Sequence, residues 1–263
     1  IADPDFGYIT NFGRAHLEGF GSFEGVIKAK SELYNYLKKA DKRIFFCQDN
    51  DLQANLLEGY SQTYSFSLEG NEKASLQLSV KESVPFVQLA WGETILPTHL
   101  IGKYNAMNAA AAICIGHYFK LSKEAITLGI EGYVPSNNRS QWVKKDHGNQ
   151  VLMDAYNANP TSMHAAIEAF GEIKAPHKVL ILGDMKELGA YSQKEHQQLV
   201  DDIAASVWDA VLLLGDNFYQ TQTNFMKFRT LTEMNHYLKL HPFSDTFFLI
   251  KGSRSMTMEK IEI

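Results

Sequence analysis

The sequence has no long hydrophobic run, few cysteines and no excess of basic residues. The longest apolar stretches, such as 207–215, are far shorter than the roughly 20 residues of a membrane-spanning helix. The two cysteines, Cys47 and Cys114, lie in apolar contexts that are typical of core residues, not of a disulfide or a metal site. The formal net charge of −5 gives no support for a nucleic-acid-binding surface. We therefore expect a cytoplasmic protein with no membrane insertion and no nucleic-acid partner.

Two nucleotide-binding motifs are also missing. No strand is followed by G-x-G-x-x-G, so a dinucleotide site has no support, and the phosphate cradle G-x-x-x-x-G-K-[ST] does not occur. If the protein uses ATP, we expect that cradle to lie upstream of Ile1 or on another chain. The opening residues IADPDFGYIT, which contain no methionine, predict a piece of a longer protein.

The apolar pattern predicts two α/β domains, at 1–136 and 137–263, with the linker in YVPSNNRSQ at 133–141. In the first domain we expect a strand at 44–47, an antiparallel patch over 62–97 and helices at 105–119 and 122–132. In the second domain a hairpin at 141–154 precedes an alternation of strands and helices, which predicts a mostly parallel sheet. The expected strands lie at 178–182, 210–214 and 247–250. One helix is expected to start at 159, and three more are expected at 192–206, 231–240 and 255–261.

A glycine-rich loop with His16 and Glu18 is followed by a helix that begins after Ser22 and carries Lys30. Lys30 lies beside the apolar stripe of that helix, where partial loss of water disfavours its ammonium form. A neutral amine can react with carbon dioxide to give a carbamate, an oxygen ligand for magnesium that the loop residues could complete. The alternative is that Lys30 extends into solvent and the loop histidine is merely solvated.

Three further stretches carry polar groups that suit a ligand. Asn105 and Asn108 lie three residues apart near a helix start, where an amide can pair with adenine, although capping also explains Asn105. The strand-to-helix turn 154–160 contains Asp154, Tyr156 and Asn157, which are candidates for nucleotide contacts, while Asn159 and Pro160 begin the helix. The segment 251–254, Lys-Gly-Ser-Arg, suits a carboxylate or a phosphate at a helix start, or is simply a solvated basic turn.

Five stretches together resemble the Mur ligase family. They are ITNFGRAHLEGFGSFEGVIKAKSEL (9–33), LIGKYNAMNAAAA (100–112), DAYNANPTSM (154–163), LGDMKELG (182–189) and KGSRSMTME (251–259). The first two are shared widely within the family, and the last three are typical of the members that add D-alanyl-D-alanine. The resemblance covers nearly the whole chain in the expected order.

The resemblance implies the family's central ATP-binding domain over 1–136, truncated at its N-terminus and built on a mixed sheet with a small antiparallel patch. A Rossmann-like C-terminal ligase domain would follow over 137–263, with 133–141 as the hinge about which it closes. The N-terminal domain of the same chain, which holds the sugar-nucleotide substrate, and the phosphate-binding loop would be absent from this stretch.

The resemblance also implies roles for individual residues. Lys30 matches the lysine that becomes carbamylated and, together with His16, holds magnesium and serves catalysis. The positions implied to bind the nucleotide are Asn105, Asn108, Arg139, Asp154, Tyr156 and Asn157. The positions implied to face the incoming substrate are Asn159, Lys251, Ser253 and Arg254.

The implied activity is ATP- and magnesium-dependent amide bond formation through an acyl phosphate, in peptidoglycan precursor synthesis. A monomer would add D-alanyl-D-alanine to UDP-N-acetylmuramoyl-tripeptide, and this stretch alone would not turn over ATP because it lacks the phosphate cradle. Two alternatives stay open. One is an amino-acid ligase of the glutamate-adding or folylpolyglutamate type, and the other is a non-catalytic module that binds nucleotides or peptides.

Overall fold

The chain forms two compact units in its computed structural model, which describes residues 3–13 and 17–263. One unit comprises Ile1–Phe12 and Glu24–Val134, and the other comprises Gly13–Phe23 and Pro135–Ile263. The α/β class expected from the sequence is confirmed. In the part of the chain that is described, no helix is both long and apolar enough to cross a membrane.

Helices and strands alternate along most of the chain. The helices are α1 (Leu17–Phe20), α2 (Phe23–Lys39), α3 (Asp51–Leu56), α4 (Lys103–Tyr118), α5 (Lys123–Glu131), α6 (Pro160–Glu172), α7 (Ser192–Ala204), α8 (Asp216–Tyr219) and α9 (Leu231–Leu240). The strands are β1 (Phe6–Tyr8), β2 (Arg43–Cys47), β3 (Thr63–Ser67), β4 (Leu76–Gln77), β5 (Ser79–Glu82), β6 (Gln88–Trp91), β7 (Thr94–Pro97), β8 (Gln141–Lys144), β9 (Gln150–Asp154), β10 (His177–Gly183), β11 (Ala210–Leu214), β12 (Met226–Phe228) and β13 (Thr246–Lys251).

The first unit is built on a parallel sheet with the strand order β1-β2-β3-β4 across the described residues. α2 packs closely on β1 because Gly7 has no side chain: a Cβ there would lie 2.4 Å from Leu37 Cδ1. The alanine-rich face of α4 packs over β3 in the core of this unit, as expected for a helix that is apolar on several faces. The helix expected after Ser122 is confirmed as α5, with the Ser122 hydroxyl accepting the Ala125 N–H.

The antiparallel patch expected over 62–97 is wrong in its first half. β3 and β4 pair in parallel with the sheet that contains β2, and the patch consists of β5, β6 and β7 among the described residues. The crossover from β2 to β3 is α3, a six-residue helix capped by the Asn50 side chain. A helix this short shows little apolar periodicity, so the sequence pattern did not indicate a parallel connection.

Both cysteines are free and buried in the core of the first unit, as expected. Burial raises the pKa of the Cys47 thiol to about 11 and that of the Cys114 thiol to about 12. Because the thiolate is the reactive form, both side chains act as apolar core residues near neutral pH.

The second unit contains a sheet with the order β12-β11-β10-β13-β9-β8 over its described residues, parallel except for the β8–β9 hairpin. Its central strands are buried on both faces, as in 179–182 and 247–250, and therefore read as continuous apolar runs. The expected hairpin, the strands of the alternation and helices α6, α7 and α9 are confirmed. The carboxyl ends of β9, β10, β11 and β13 lie along one edge, since these strands run in parallel.

The helix expected over 255–261 is wrong. Two 3₁₀ turns, Arg254–Met256 and Met258–Lys260, occupy this stretch and meet at Thr257, whose φ of 48° lies in the left-handed region. A residue in that conformation ends a right-handed helix. The stretch therefore runs as two short turns.

Candidate functional site

An ion pair between a buried lysine and a half-buried aspartate joins two strand ends at the carboxyl edge of the second unit's sheet. Asp154 ends β9 and Lys251 ends β13, and they are register partners in neighbouring parallel strands. The Lys251 ammonium lies 2.5 Å from the Asp154 carboxylate and 3.2 Å from the Asn157 carbonyl oxygen. The Lys251 side chain is only 2% exposed, so the solvated-turn alternative is wrong for this residue. The pair fixes the β9–α6 turn against the end of β13.

The buried Ser253 links three loops at the same edge. Its hydroxyl accepts the Lys186 backbone N–H at 2.8 Å and donates to the Ala158 carbonyl oxygen at 3.5 Å. Its own N–H donates to the Asp184 carbonyl oxygen at 3.2 Å. The loops after β9, β10 and β13 therefore meet at one hydroxyl, at the side of the sheet where open α/β folds bind ligands.

Polar side chains beside this junction stay exposed. The Arg139 guanidinium lies 3.6 Å from the centroid of the Tyr156 ring, a cation–π contact between two exposed residues. The Tyr156 N–H donates to the Asn138 carbonyl oxygen, which fixes the ring beside the start of the hairpin. The side chain of Asn157 is also exposed, although its oxygen accepts the Ala158 N–H at 2.8 Å. A stacked ring and an amide thus face solvent at the end of β9.

The remaining two candidates on this unit, Asn159 and Arg254, differ in the contacts that their side chains make. Asn159 caps α6: its side chain accepts the Ser162 N–H, while the Ser162 hydroxyl accepts the Asn159 N–H. This confirms the capping expected from the sequence. The Arg254 side chain is 61% exposed and forms a 3.2 Å ion pair with Glu259, so its charge can reach a ligand from solvent.

A buried polar pair at this edge was not predicted from the sequence, although the loop after β10 was. Asp184, directly after β10, and His196, on α7, are both fully buried. The glycine before Asp184 marked the strand end, but nothing in the sequence reveals that the carboxylate folds inward. His196 was detectable only from its place on the apolar stripe of α7 with Leu199 and Val200, a position where a histidine is usually just a core residue.

Lys30 lies on α2 in the first unit, half-buried, as expected from the apolar stripe. Its ammonium donates to the Asn11 carbonyl oxygen at 2.8 Å, in the loop that follows β1. Partial burial lowers the pKa of Lys30 from its ordinary value. The side chain thus points to the carboxyl end of a parallel strand, and its neutral form is less disfavoured there than in water, which suits carbamate formation.

Asn105 and Asn108 form a relay on the first turns of α4. The helix begins after Gly102, so the capping expected for Asn105 is wrong. Asn105 is buried and its amide donates to the Ile101 carbonyl oxygen at 2.8 Å, because this position lies inside the first turn and not before it. The Asn108 amide donates to the Asn105 side-chain oxygen at 3.0 Å, and Asn108 itself is exposed. The relay fixes the orientation of the exposed amide.

The expected magnesium ligand His16 lies outside the described residues. Its neighbour Glu18 lies on α1, in the second unit, where the Glu18 N–H donates to the Glu187 carbonyl oxygen at 3.1 Å. Over 3–13 and 17–263, no group of three or more histidine, cysteine, aspartate or glutamate side chains could hold a metal ion. Oxygen ligands from Lys30 would require its carbamate, and the nearby Asn11 carbonyl oxygen suits a hard cation.

Comparison with known proteins identifies the family. Residues 1–116 match the Mur ligase middle domain, and residues 138–254 match the Mur ligase C-terminal, or glutamate ligase, domain. The chain belongs to the Mur ligase family. These two matches together cover most of this Mur ligase chain and agree with the resemblance found in its motifs.

Relatives of this Mur ligase chain are named for one reaction. This chain is 31% identical to the UDP-N-acetylmuramoyl-tripeptide–D-alanyl-D-alanine ligase of Bacillus subtilis, over 99% of this chain and 59% of the relative. It is 30% identical to the ligase of the same name from Escherichia coli, over 99% of this chain and 60% of the relative. The chain thus spans about three fifths of the length of these curated relatives.

Solved structures give the same family. A crystal structure of MurF from Acinetobacter baumannii matches with a TM-score of 0.83 and 30% identity, covering 98% of this chain and 58% of that one. MurF from Thermotoga maritima, in complex with ADP, matches with a TM-score of 0.79 at 22% identity, covering 99% of this chain and 61% of that one, and supports the fold alone.

Proposed function

We propose that the full-length protein carrying this chain is an ATP-dependent ligase that adds D-alanyl-D-alanine to UDP-N-acetylmuramoyl-tripeptide. One observation carries the chemistry: the half-buried amine of Lys30, with its pKa lowered by burial, lies at the end of a parallel strand beside the Asn11 carbonyl oxygen. The substrates are supported by the names of relatives at 31% and 30% identity.

Lys30 and His16 are the proposed magnesium ligands. The neutral Lys30 amine adds to carbon dioxide and releases a proton, which leaves a carbamate whose oxygens suit a hard cation. His16 would supply a nitrogen ligand. When bound, magnesium would neutralise charge on the transferring phosphoryl group, the main requirement of such chemistry.

Nucleotide contacts are proposed on each unit by itself. In the first unit, Asn105 holds the exposed Asn108 amide, which can pair with the donor and acceptor edge of adenine. In the second unit, Arg139 and Tyr156 offer a charged plane and a ring, and Asn157 offers an amide beside them. We assign Asp154 to holding this turn through Lys251, next to the ribose and the phosphates.

The reaction proceeds in two displacements. The terminal carboxylate of the tripeptide attacks the γ-phosphorus of ATP, ADP leaves, and an acyl phosphate forms. The amine of D-alanyl-D-alanine then attacks the acyl carbon, loses a proton, and the tetrahedral intermediate expels inorganic phosphate. Arg254 is an exposed cation that can pair with the dipeptide carboxylate, and Lys251, Ser253 and Asn159 hold the loops around it.

The cellular setting is proposed on the same basis. The names of these relatives give UDP-N-acetylmuramoyl-tripeptide and D-alanyl-D-alanine as their substrates, which supports a role in peptidoglycan precursor synthesis. We propose a cytoplasmic monomer, a state that size-exclusion chromatography with light scattering of the full-length protein tests directly.

A substrate screen tests the function. The full-length protein is incubated with ATP, magnesium and UDP-N-acetylmuramoyl-tripeptide, and either D-alanyl-D-alanine or L-glutamate, and product masses are measured. We expect a product extended by the dipeptide, with one ADP formed per amide bond. Extension by L-glutamate alone would support a glutamate-adding ligase, and the absence of any ligated product would support a binding module.

A further inference from the structure

The Asp184 carboxylate is completely buried at the end of β10 and is held by several donors. It accepts the backbone N–H groups of Asn217 and Phe218 at 3.1 and 3.0 Å, and the Asn217 side-chain amide at 3.0 Å. The half-exposed Lys186 ammonium lies 3.2 Å away and supplies the opposite charge. Asp184 therefore ties the loop after β10 to the start of α8.

His196 holds the same loop from the other side. Its Nε2 accepts the Met185 backbone N–H at 3.0 Å, so the ring proton lies on Nδ1, which donates to the Ser192 carbonyl oxygen at 2.7 Å. Burial lowers the pKa of His196, which keeps the imidazole neutral and Nε2 able to accept. The ring also packs edge-on against Phe218.

These anchors determine the position of one amide that points at the candidate site. Lys186 follows Met185 directly, and its backbone N–H donates to the Ser253 hydroxyl at 2.8 Å. Because the loop is fixed at Asp184 and at Met185, the direction of this N–H is set before any ligand binds. The Ser253 hydroxyl can then orient the loop 251–254.

We propose that Asp184 and His196 are positioning residues of the ligase: they hold the Lys186 amide against Ser253 and so orient the loop 251–254 for the incoming dipeptide. This inference rests on the proposed function. Neither side chain reaches solvent, so both act through the backbone of 184–186. The consequence is a defined chain of effect, from His196 through Met185 and Lys186 to Ser253.

Kinetics of the full-length protein test this chain of effect. His196→Leu fills the space but cannot accept the Met185 N–H, whereas His196→Gln can place an oxygen near the position of Nε2. We expect His196→Leu to raise the KM for D-alanyl-D-alanine about tenfold with an unchanged KM for ATP, and His196→Gln to restore it. A mere loss of folded protein would lower kcat alone. The control is His164→Leu, a half-exposed histidine of α6 that pairs with Asp202 and, among the described residues, makes no contact with the loop after β10, which should change neither value.

A double-mutant cycle identifies the route. In a Ser253→Ala background, His196→Leu and Asp184→Asn should each change the KM for D-alanyl-D-alanine by less than about twofold. The hydroxyl whose position they control is absent from that background. Hydrogen exchange should accelerate about tenfold at the Lys186 amide in His196→Leu, and stay unchanged in β10.

The outcomes separate the two proposals. An inactive wild type would end the proposed function, and the exchange measurement would still decide whether His196 holds the loop. An active wild type with additive mutations, or with an unchanged Lys186 amide, would overturn the positioning role and leave the function intact.

Discussion

At the scale of single residues, the proposed ligase activity depends on the amine of Lys30. Lys30→Ala in the full-length protein removes the proposed carbamate, so we expect the rate of ligation to fall about a hundredfold or more. A short carboxylate such as formate should restore part of the activity, because it can supply the missing oxygen ligand. The measurement is inorganic phosphate release that depends on D-alanyl-D-alanine.

The matched control is Lys28→Ala, an exposed lysine on the same helix. It removes the same charge from α2 without touching the loop after β1, and activity should be retained. Equal losses in the two variants, or an unchanged rate in Lys30→Ala, would remove Lys30 from the mechanism.

The buried His196 predicts a pH dependence of stability. Burial is the main cause that lowers its pKa below the ordinary value of 6.5, although the nearby Ser192 carbonyl and Asp184 oppose this shift. The unfolded chain therefore takes up a proton at a higher pH than the folded chain. The contribution of the neutral, buried His196 to the stability of the fold is complete above pH 6.5 and is lost as the pH falls below that value.

Urea unfolding of the wild type and of His196→Gln, from about pH 8 to about pH 5.5, measures this effect. Glutamine keeps an acceptor but does not titrate, so we expect its free energy of unfolding to fall less steeply as the pH drops. Parallel curves for the two proteins would show that His196 does not titrate differently in the folded chain.

Some residue-level features could be read from the sequence and others could not. The types of Asp154, Lys251 and Ser253, next to strand ends, were enough to select them. Their pairing could not be predicted, because it depends on β13 inserting between β9 and β10. His196 was not selected, and the burial of Asp184 was not predicted, because burial of a polar group is a property of the tertiary fold.

At the scale of elements, Gly215 controls how β11 passes into α8. Its φ is 120°, and a Cβ there would lie 2.3 Å from the Asp184 carboxyl carbon. Gly215→Ala should therefore lower the free energy of unfolding by about 2 kcal/mol or more, because both backbone strain and a clash with a buried carboxylate arise. Urea unfolding monitored by circular dichroism measures the change.

The comparison variant is Gly129→Ala in α5, where a Cβ would meet no atom within 4 Å. Alanine is the better helix former by about 1 kcal/mol, so no loss of stability is expected. Equal free energies of unfolding for the two alanine variants would show that a side chain at position 215 does not clash with the Asp184 carboxylate.

Elements with local signals were predicted, and those set by distant contacts were not. Asn159 and Pro160 carry their own helix-start signal, and α6 begins there. The stretch 255–261 was expected to be a helix. In the structure the Met258 side chain packs against Gly183 and Gly252, and Thr257 adopts a left-handed backbone conformation. The parallel pairing of β3 depended on α3, which is too short to show a pattern.

At the scale of the whole molecule, the alternation of strands and helices was sufficient to predict the second unit's parallel sheet. Strands buried over most of their length, such as β10 from residue 179 onward, give unbroken apolar runs, and each is followed by a helix or turn. The segment of α1 was expected within the first domain, whereas its contacts group it with the second unit. Such a grouping involves Glu187, far along the chain, and no local pattern encodes it.

The proposed reaction requires that ATP activates a carboxylate as an acyl phosphate before the amide forms. The full-length protein is supplied with ATP, D-alanyl-D-alanine and tripeptide substrate labelled with ¹⁸O in its terminal carboxylate. The isotope content of the released phosphate is then measured by mass spectrometry. We expect one ADP and one inorganic phosphate for each amide bond, with one ¹⁸O atom in each phosphate, since the phosphoryl group leaves with a carboxylate oxygen. Unlabelled inorganic phosphate, or AMP with pyrophosphate as products, would contradict it.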